Sequence, residues 1–196
     1  MSNLPNILTS IRILLVPILV VVLLTKFDGR EFVGLGLFLL AALTDFLDGY
    51  FARRWNLVSR FGQLLDPAAD KILIAAAFVS LVELDSRVTP SWMVVAILAR
   101  EFAVSALRSH AAADQVILPA GLSGKIKTGA QIVAVSLLII YNQLGEFSHL
   151  APISLWVAMI VTLYSGFEYF ARYWRPMNNP GSRPTPPSAP QPPAIA

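Results

Sequence analysis

The sequence predicts an all-α, polytopic membrane protein of six transmembrane helices. Three observations carry that expectation. Apolar residues make up 56% of the chain and charged residues only 14%, where soluble domains run near 45–50% and about 25%. Six stretches have the length and apolarity of a bilayer span, roughly 20 residues each, and mean hydropathy is +0.64. Four aspartates nevertheless sit inside or at the ends of those stretches.

The expected spans, in order, are Asn6–Thr25, Phe32–Arg54, Gly62–Leu84, Pro90–Leu107, Ile126–Tyr141 and Leu150–Phe170. The first is read as a retained span and not a cleaved leader. It has no small-x-small site after Leu24 and carries Asn6, Thr9 and Arg12 ahead of its apolar run. Loop charge sets the orientation. Lys26, Arg30 and Arg87 are the basic residues of the 1–2 and 3–4 loops, whereas Arg12, Arg53, Arg54, Arg60, Arg108, Lys125, Lys127, Arg172 and Arg175 fall on the other side. The positive-inside rule then puts both termini in the cytoplasm of a multi-pass protein of the cell (inner or plasma) membrane.

The 196 residues therefore divide into a membrane domain, residues 1–175, and a tail, residues 176–196. That tail holds eight of the fourteen Pro (Pro176, Pro180, Pro184, Pro186, Pro187, Pro190, Pro192 and Pro193). Such a composition cannot bury an apolar face and reads as a disordered, Pro-rich segment. The net charge of +3, from fifteen Lys+Arg against twelve Asp+Glu, is spread along the chain. It forms no basic face of the kind a nucleic-acid partner needs. The absence of Cys excludes disulfide scaffolds, thiolate metal sites and thiol nucleophiles. His110 and His149 stand alone in loops, with no second ligand at metal spacing.

Asp45, Asp48, Asp66 and Asp70 are the informative residues. An Asp at the centre of a membrane helix costs about 2.5–3.5 kcal/mol on insertion scales, so it marks function by default. Asp45 and Asp48, at i,i+3, share one face of helix 2; Asp66 and Asp70, at i,i+4, share one face of helix 3. A short link makes these helices antiparallel neighbours, so the two pairs can meet. Four converging carboxylates repel one another unless they protonate or hold a cation. Oxygen-only ligands suit Mg²⁺ or Mn²⁺, two of which could be bridged by shared carboxylates as in phosphoryl chemistry. Two other readings stand beside this one: structural ion pairs with Arg53, Arg54, Arg60 and Lys71, and an ion pathway of the kind transporters build. The acids gather toward one face without a polar ladder beyond them, which favours a site over a conduit. Gly49, Ala52 and Gly62 serve close helix packing, and beside a metal cluster they also let a phosphate approach the backbone.

The complete spacing is Asp45-x2-Asp48-Gly49-x2-Ala52-Arg53-x8-Gly62-x3-Asp66-x3-Asp70. It resembles in full the signature of the CDP-alcohol phosphatidyltransferases, D-x2-DG-x2-AR-x8,9-G-x3-D-x3-D. The segments Leu4–Arg12, Phe51–Asn56, Arg60–Pro67, Ala99–Arg108 and Gly124–Thr128 look like those of the bacterial subgroup that makes phosphatidylglycerol phosphate. The resemblance covers about residues 3–172 and leaves out the tail.

That resemblance implies a six-helix phospholipid-synthesising enzyme embedded among membrane lipids, usually a homodimer, with a polar active-site cavity that faces the cytoplasm. It would transfer the phosphatidyl group of CDP-diacylglycerol to an alcohol, sn-glycerol 3-phosphate in the subgroup, and release CMP. By the same analogy Asp45, Asp48 and Asp66 bind divalent metal, and Asp70 completes the second metal site and acts as base. Gly49, Ala52, Arg53 and Gly62 would border the CDP moiety. The acceptor's phosphate needs a cationic pocket on the same face, for which Arg108, Lys125 and Lys127 are candidates, with Arg12 and Arg100 behind them; lipid-headgroup contact and topology are the plainer roles for these cations. Glu101, beside Arg100, is expected to form a structural pair. Enzymes with the same motif but another acceptor (cardiolipin synthase of the CDP type, phosphatidylinositol phosphate synthase, phosphatidylserine synthase) remain open alternatives, as does an ion-coupled transporter.

Overall fold

A computed structural model describes the backbone of residues 4–55, 60–113 and 122–177, and side chains over residues 10–44, 68–112 and 123–174. Six α-helices make up nearly all of it, and no strand occurs among the described residues. They are α1 (Leu4–Leu24), α2 (Arg30–Trp55), α3 (Arg60–Leu84), α4 (Ser91–Ala113), α5 (Leu122–Ile139) and α6 (Leu150–Met177). The shortest has 18 residues and the longest 28, or about 27 to 42 Å at 1.5 Å per residue.

The helices match the six expected stretches in number and order, while several ends differ. α4 continues past Leu107 to Ala113, α5 begins at Leu122 ahead of Ile126, and α6 runs through Arg175 and Pro176 to Met177. Hydropathy marks where side chains cease to be apolar, whereas backbone hydrogen bonding carries the helix on into polar surroundings. α5 stops at Ile139, not Tyr141, because the chain tightens there into two 3-10 turns, Tyr141–Gln143 and Gly145–Phe147.

Local chemistry sets the joints. Gly29, at φ 81°, turns the chain from α1 into α2, a left-handed conformation that a side chain would strain. Asp85 ends α3 by accepting the backbone N–H of Arg87 at 2.9 Å on Oδ1, an Asx-type turn. Pro90 precedes α4, and its carbonyl accepts from the N–H of Met93 at 3.1 Å. Pro17 lies inside α1, which runs unbroken past it, at the cost of one helical hydrogen bond.

Packing sorts the helices into two sets of three. α1 lies against both α2 and α3, and α6 against both α4 and α5; the sets meet where α3 touches α4 and α5 and where α2 touches α5. Phe38, Phe78, Leu19, Leu73, Met93, Ile97 and Leu155 fill the core. Fully buried Ala77, Ala134, Ala151 and Ala158 let backbones approach closely. Every helix also turns large apolar side chains outward, among them Leu14, Val21, Leu40, Val79, Val95, Val133 and Ile160, with Phe167 as much as 75% exposed. Soluble monomers seldom expose apolar patches beyond a few hundred Å². Trp92 and Trp156 join this outer face as an edge-to-face pair, ring centroids 5.6 Å apart.

Among the described residues one helical stretch, Gly145–Trp174, is by itself long and apolar enough to cross a membrane, and Ser10–Leu24 forms a shorter apolar helix. Ionic residues break the apolar character of the rest: Asp70 and Lys71 on α3, Arg100, Glu101 and Arg108 on α4, Lys125 and Lys127 on α5.

Candidate active site

Asp45, Asp48, Gly49, Ala52 and Arg53 lie on the helical backbone of α2, and Gly62, Asp66 and Asp70 on that of α3. Both helices thus keep the 3.6-residue repeat on which the pairing of Asp45 with Asp48, and of Asp66 with Asp70, depends. Of these eight positions only Asp70 falls among the residues whose side chains are described; the other seven lie outside them. No cluster of three potential metal ligands occurs among the described residues. The donor set carried by the two helices is oxygen-only, which fits a hard divalent ion such as Mg²⁺ or Mn²⁺ and disfavours Zn²⁺.

Asp70 is half-buried and opens into a narrow cleft between α3, α4 and α5. Its polar lining is Asp70, Lys71, Glu101, Lys127, Thr128 and Gln131, and its apolar wall is Ile74, Leu98 and Phe102. The charged lining is balanced, Lys71 and Lys127 against Asp70 and Glu101, and buried Arg100 behind it adds one positive charge that favours an anion.

Glu101 is the hub of this lining. Its Oε2 accepts from Lys127 Nζ at 2.6 Å. Its Oε1 accepts from Arg100 Nη1 at 3.2 Å and from Gln131 Nε2 at 3.1 Å. The two supporting residues are anchored on α6: Gln131 Nε2 also donates to Thr162 Oγ1 at 3.1 Å, and Arg100 Nη2 donates to Ser165 Oγ at 2.8 Å. Glu101, Arg100, Gln131, Thr162 and Ser165 are all buried. A buried carboxylate is tolerable here because both of its oxygens are satisfied and two cations adjoin it.

The structure separates the five cations that the sequence grouped as acceptor-phosphate candidates. Lys127 lines the cleft with Asp70. Arg100 supports that lining from behind, and the expected Arg100–Glu101 pair is present with Lys127 as a further partner. Arg12 is fully buried on α1. Arg108 and Lys125 are exposed and do not line the cleft. Sequence reasoning gave no role to Gln131, Thr162 or Ser165, nor to Lys71 in the cleft. A signal existed in the helical spacing of Lys127 with Gln131 and of Thr162 with Ser165, polar pairs inside otherwise apolar stretches.

Comparison with known proteins follows the same division of the chain. Residues 2–164 match the CDP-alcohol phosphatidyltransferase family, and the match stops short of the Pro-rich tail. A Bacillus subtilis (strain 168) protein named CDP-diacylglycerol–glycerol-3-phosphate 3-phosphatidyltransferase is 45% identical over 189 residues, 89% of this chain and 96% of its own length. Proteins of the same name from Rickettsia typhi and Haemophilus influenzae are 38% and 36% identical, covering 87% and 85% of this chain and 96% and 91% of their own. A family match spanning residues 2–164, with relatives 36–45% identical over nearly their whole length, means that this chain belongs to the CDP-alcohol phosphatidyltransferase family.

Proposed function

We propose that the protein transfers the phosphatidyl group of CDP-diacylglycerol to sn-glycerol 3-phosphate, yielding phosphatidylglycerol phosphate and CMP. The observation that carries this reading is the nearly end-to-end match to relatives of that one name. The cleft supports it chemically, since it brings a carboxylate, Asp70, together with Lys71 and Lys127.

In this reading the acceptor's phosphate binds Lys127 in the cleft, with Arg108 and Lys125 drawing the anion toward it and Arg100 and Arg12 contributing positive potential from within the bundle. Asp70 takes the proton from the attacking hydroxyl. That hydroxyl oxygen bonds to the phosphatidyl phosphorus as the bond to CMP breaks, and CMP leaves with the bridging oxygen. Gly49, Ala52, Arg53 and Gly62 border the CDP group. Two divalent ions, Mg²⁺ or Mn²⁺, held by Asp45, Asp48, Asp66 and Asp70, would neutralise charge on the diphosphate. The remaining work is positioning, which falls to the residues that line the cleft.

The apolar side chains turned outward on every helix support a bundle embedded in the cell membrane. Six spans with both termini cytoplasmic would open the site to its water-soluble acceptor, and the family resemblance adds a homodimer. The deciding experiment incubates membranes holding the protein with CDP-diacylglycerol and, separately, glycerol 3-phosphate, serine, inositol phosphate or phosphatidylglycerol. Phosphatidylglycerol phosphate and CMP are expected with glycerol 3-phosphate alone. A lipid product from another acceptor overturns the choice of alcohol, and no CMP from any of them overturns the activity.

A further inference from the structure

The hydrogen bonds around Glu101 tie α4 to α5 at a single carboxylate and reach α6 through Arg100 and Gln131, and Lys127 is its one charged partner that lines the cleft beside Asp70. We infer that Glu101 is a positioning residue: it fixes the Lys127 ammonium at the place where the phosphate of the acceptor alcohol binds. This rests on the reading of Lys127 as a phosphate ligand.

The argument begins with lysine itself. Its ammonium is a compact charge on a flexible four-carbon stem, and ordering that stem on binding costs affinity. Glu101 settles that cost beforehand, holding Nζ at 2.6 Å. An ammonium has three N–H donors, and Glu101 occupies one, leaving donors for an anion. Glu101 is itself held in place. Arg100 and Gln131 fix its other oxygen, and Ser165 and Thr162 of α6 fix Arg100 and Gln131 in turn. The chain of contacts therefore runs from the back of the bundle to the cleft and ends at one ammonium. Glu101 is shared between Lys127 and Arg100, so one net positive charge remains on the three groups to attract the acceptor's phosphate.

The test is a double-mutant cycle in the full-length enzyme in lipid vesicles, with KM measured for each substrate separately. Glu101→Gln keeps size but loses charge and gives no second acceptor oxygen. We expect it to raise KM for glycerol 3-phosphate roughly tenfold, with kcat and the KM for CDP-diacylglycerol changed far less. Lys127→Met should raise the same KM, and Lys127→Met/Glu101→Gln should be no worse than Lys127→Met alone, because Glu101 acts through Lys127. A merely structural role predicts instead a loss of kcat at unchanged KM, and effects that multiply in the double variant; either result overturns the proposal. Should Glu101→Gln fail to accumulate, Gln131→Met removes one support while keeping every charge. It should raise the acceptor KM about threefold in the wild-type background and leave it unchanged beside Lys127→Met; an unchanged KM in the wild-type background overturns the positioning role.

The outcomes separate the two readings. Wild-type KM in Lys127→Met removes the phosphate-ligand role, and the positioning role falls with it. A raised KM in Lys127→Met with wild-type KM in Glu101→Gln removes the positioning role alone. If the wild type takes a different phosphate-bearing alcohol, the choice of glycerol 3-phosphate fails, and the same cycle run on that alcohol decides the role of Glu101.

Discussion

Gly166 on α6 and Arg100 on α4 share one volume: a Cβ at position 166 would lie 2.8 Å from Arg100 Cγ and 3.0 Å from its Nε. The arginine crosses α6 over the bare glycine backbone and donates to Ser165 Oγ, the neighbouring residue, at 2.8 Å. Absence of a side chain at one position thus makes room for a buried cation at another.

Gly166→Ala should accordingly displace Arg100 and loosen its bonds to Ser165 and Glu101. Overpacking of this kind costs about 1–3 kcal/mol, to be read as a lower midpoint of thermal inactivation in vesicles. Gly36→Ala, where an added Cβ meets nothing within 4 Å, is the contrast. Helix propensity alone favours it by about 1 kcal/mol, and its midpoint should hold or rise.

Asp66→Asn and Asp70→Asn should each abolish transfer while the protein still inserts into membranes. The amide nearly matches the carboxylate in shape but loses the charge that binds a divalent ion or accepts a proton. Chelation of divalent ions should silence the wild type in the same way, and Mg²⁺ or Mn²⁺ should restore it. Substantial CMP release by both variants at saturating metal would refute the assignment of these residues.

Lys127→Ala should raise KM for glycerol 3-phosphate by one to two orders of magnitude, the equivalent of about 1.5–3 kcal/mol for a charge-assisted contact. Arg108→Ala and Lys125→Ala should shift it in the same direction by less, because exposed charges are worth about 0–1 kcal/mol and are screened. Raising the ionic strength should shrink the effects of the two exposed sites and leave that of Lys127 nearly intact. Equal effects at all three would contradict the ranking by burial.

Truncation after Met177, where α6 ends, should leave kcat and both KM values nearly unchanged. The tail holds no acidic residue to bind metal and no apolar run to pack. Loss of most activity at normal expression would show that the tail takes part in catalysis.

The aspartates are legible in the sequence because a charge within an apolar stretch has few structural uses, and helical spacing then says which of them share a face. The six helices are legible for the related reason that an apolar run of that length has few other places to go. What is hidden is tertiary. Adjacency suggests Arg100 as the partner of Glu101, while the shortest bond comes from Lys127, 26 residues away. Gly166 looks like any small residue of a membrane helix until Arg100 is seen lying over it. Gln131 declares itself only once Thr162 and Glu101 are found on either side of its amide.

The arrangement in two helical sets bears on how such enzymes can diversify. The carboxylate motif belongs to α2 and α3, whereas Glu101, Lys127 and the polar residues behind them belong to α4, α5 and α6. A lineage that exchanges one alcohol for another can therefore redraw the second set while inheriting the first unaltered. Chimeras that join α1–α3 of one such protein to α4–α6 of another would follow the acceptor choice of their C-terminal parent.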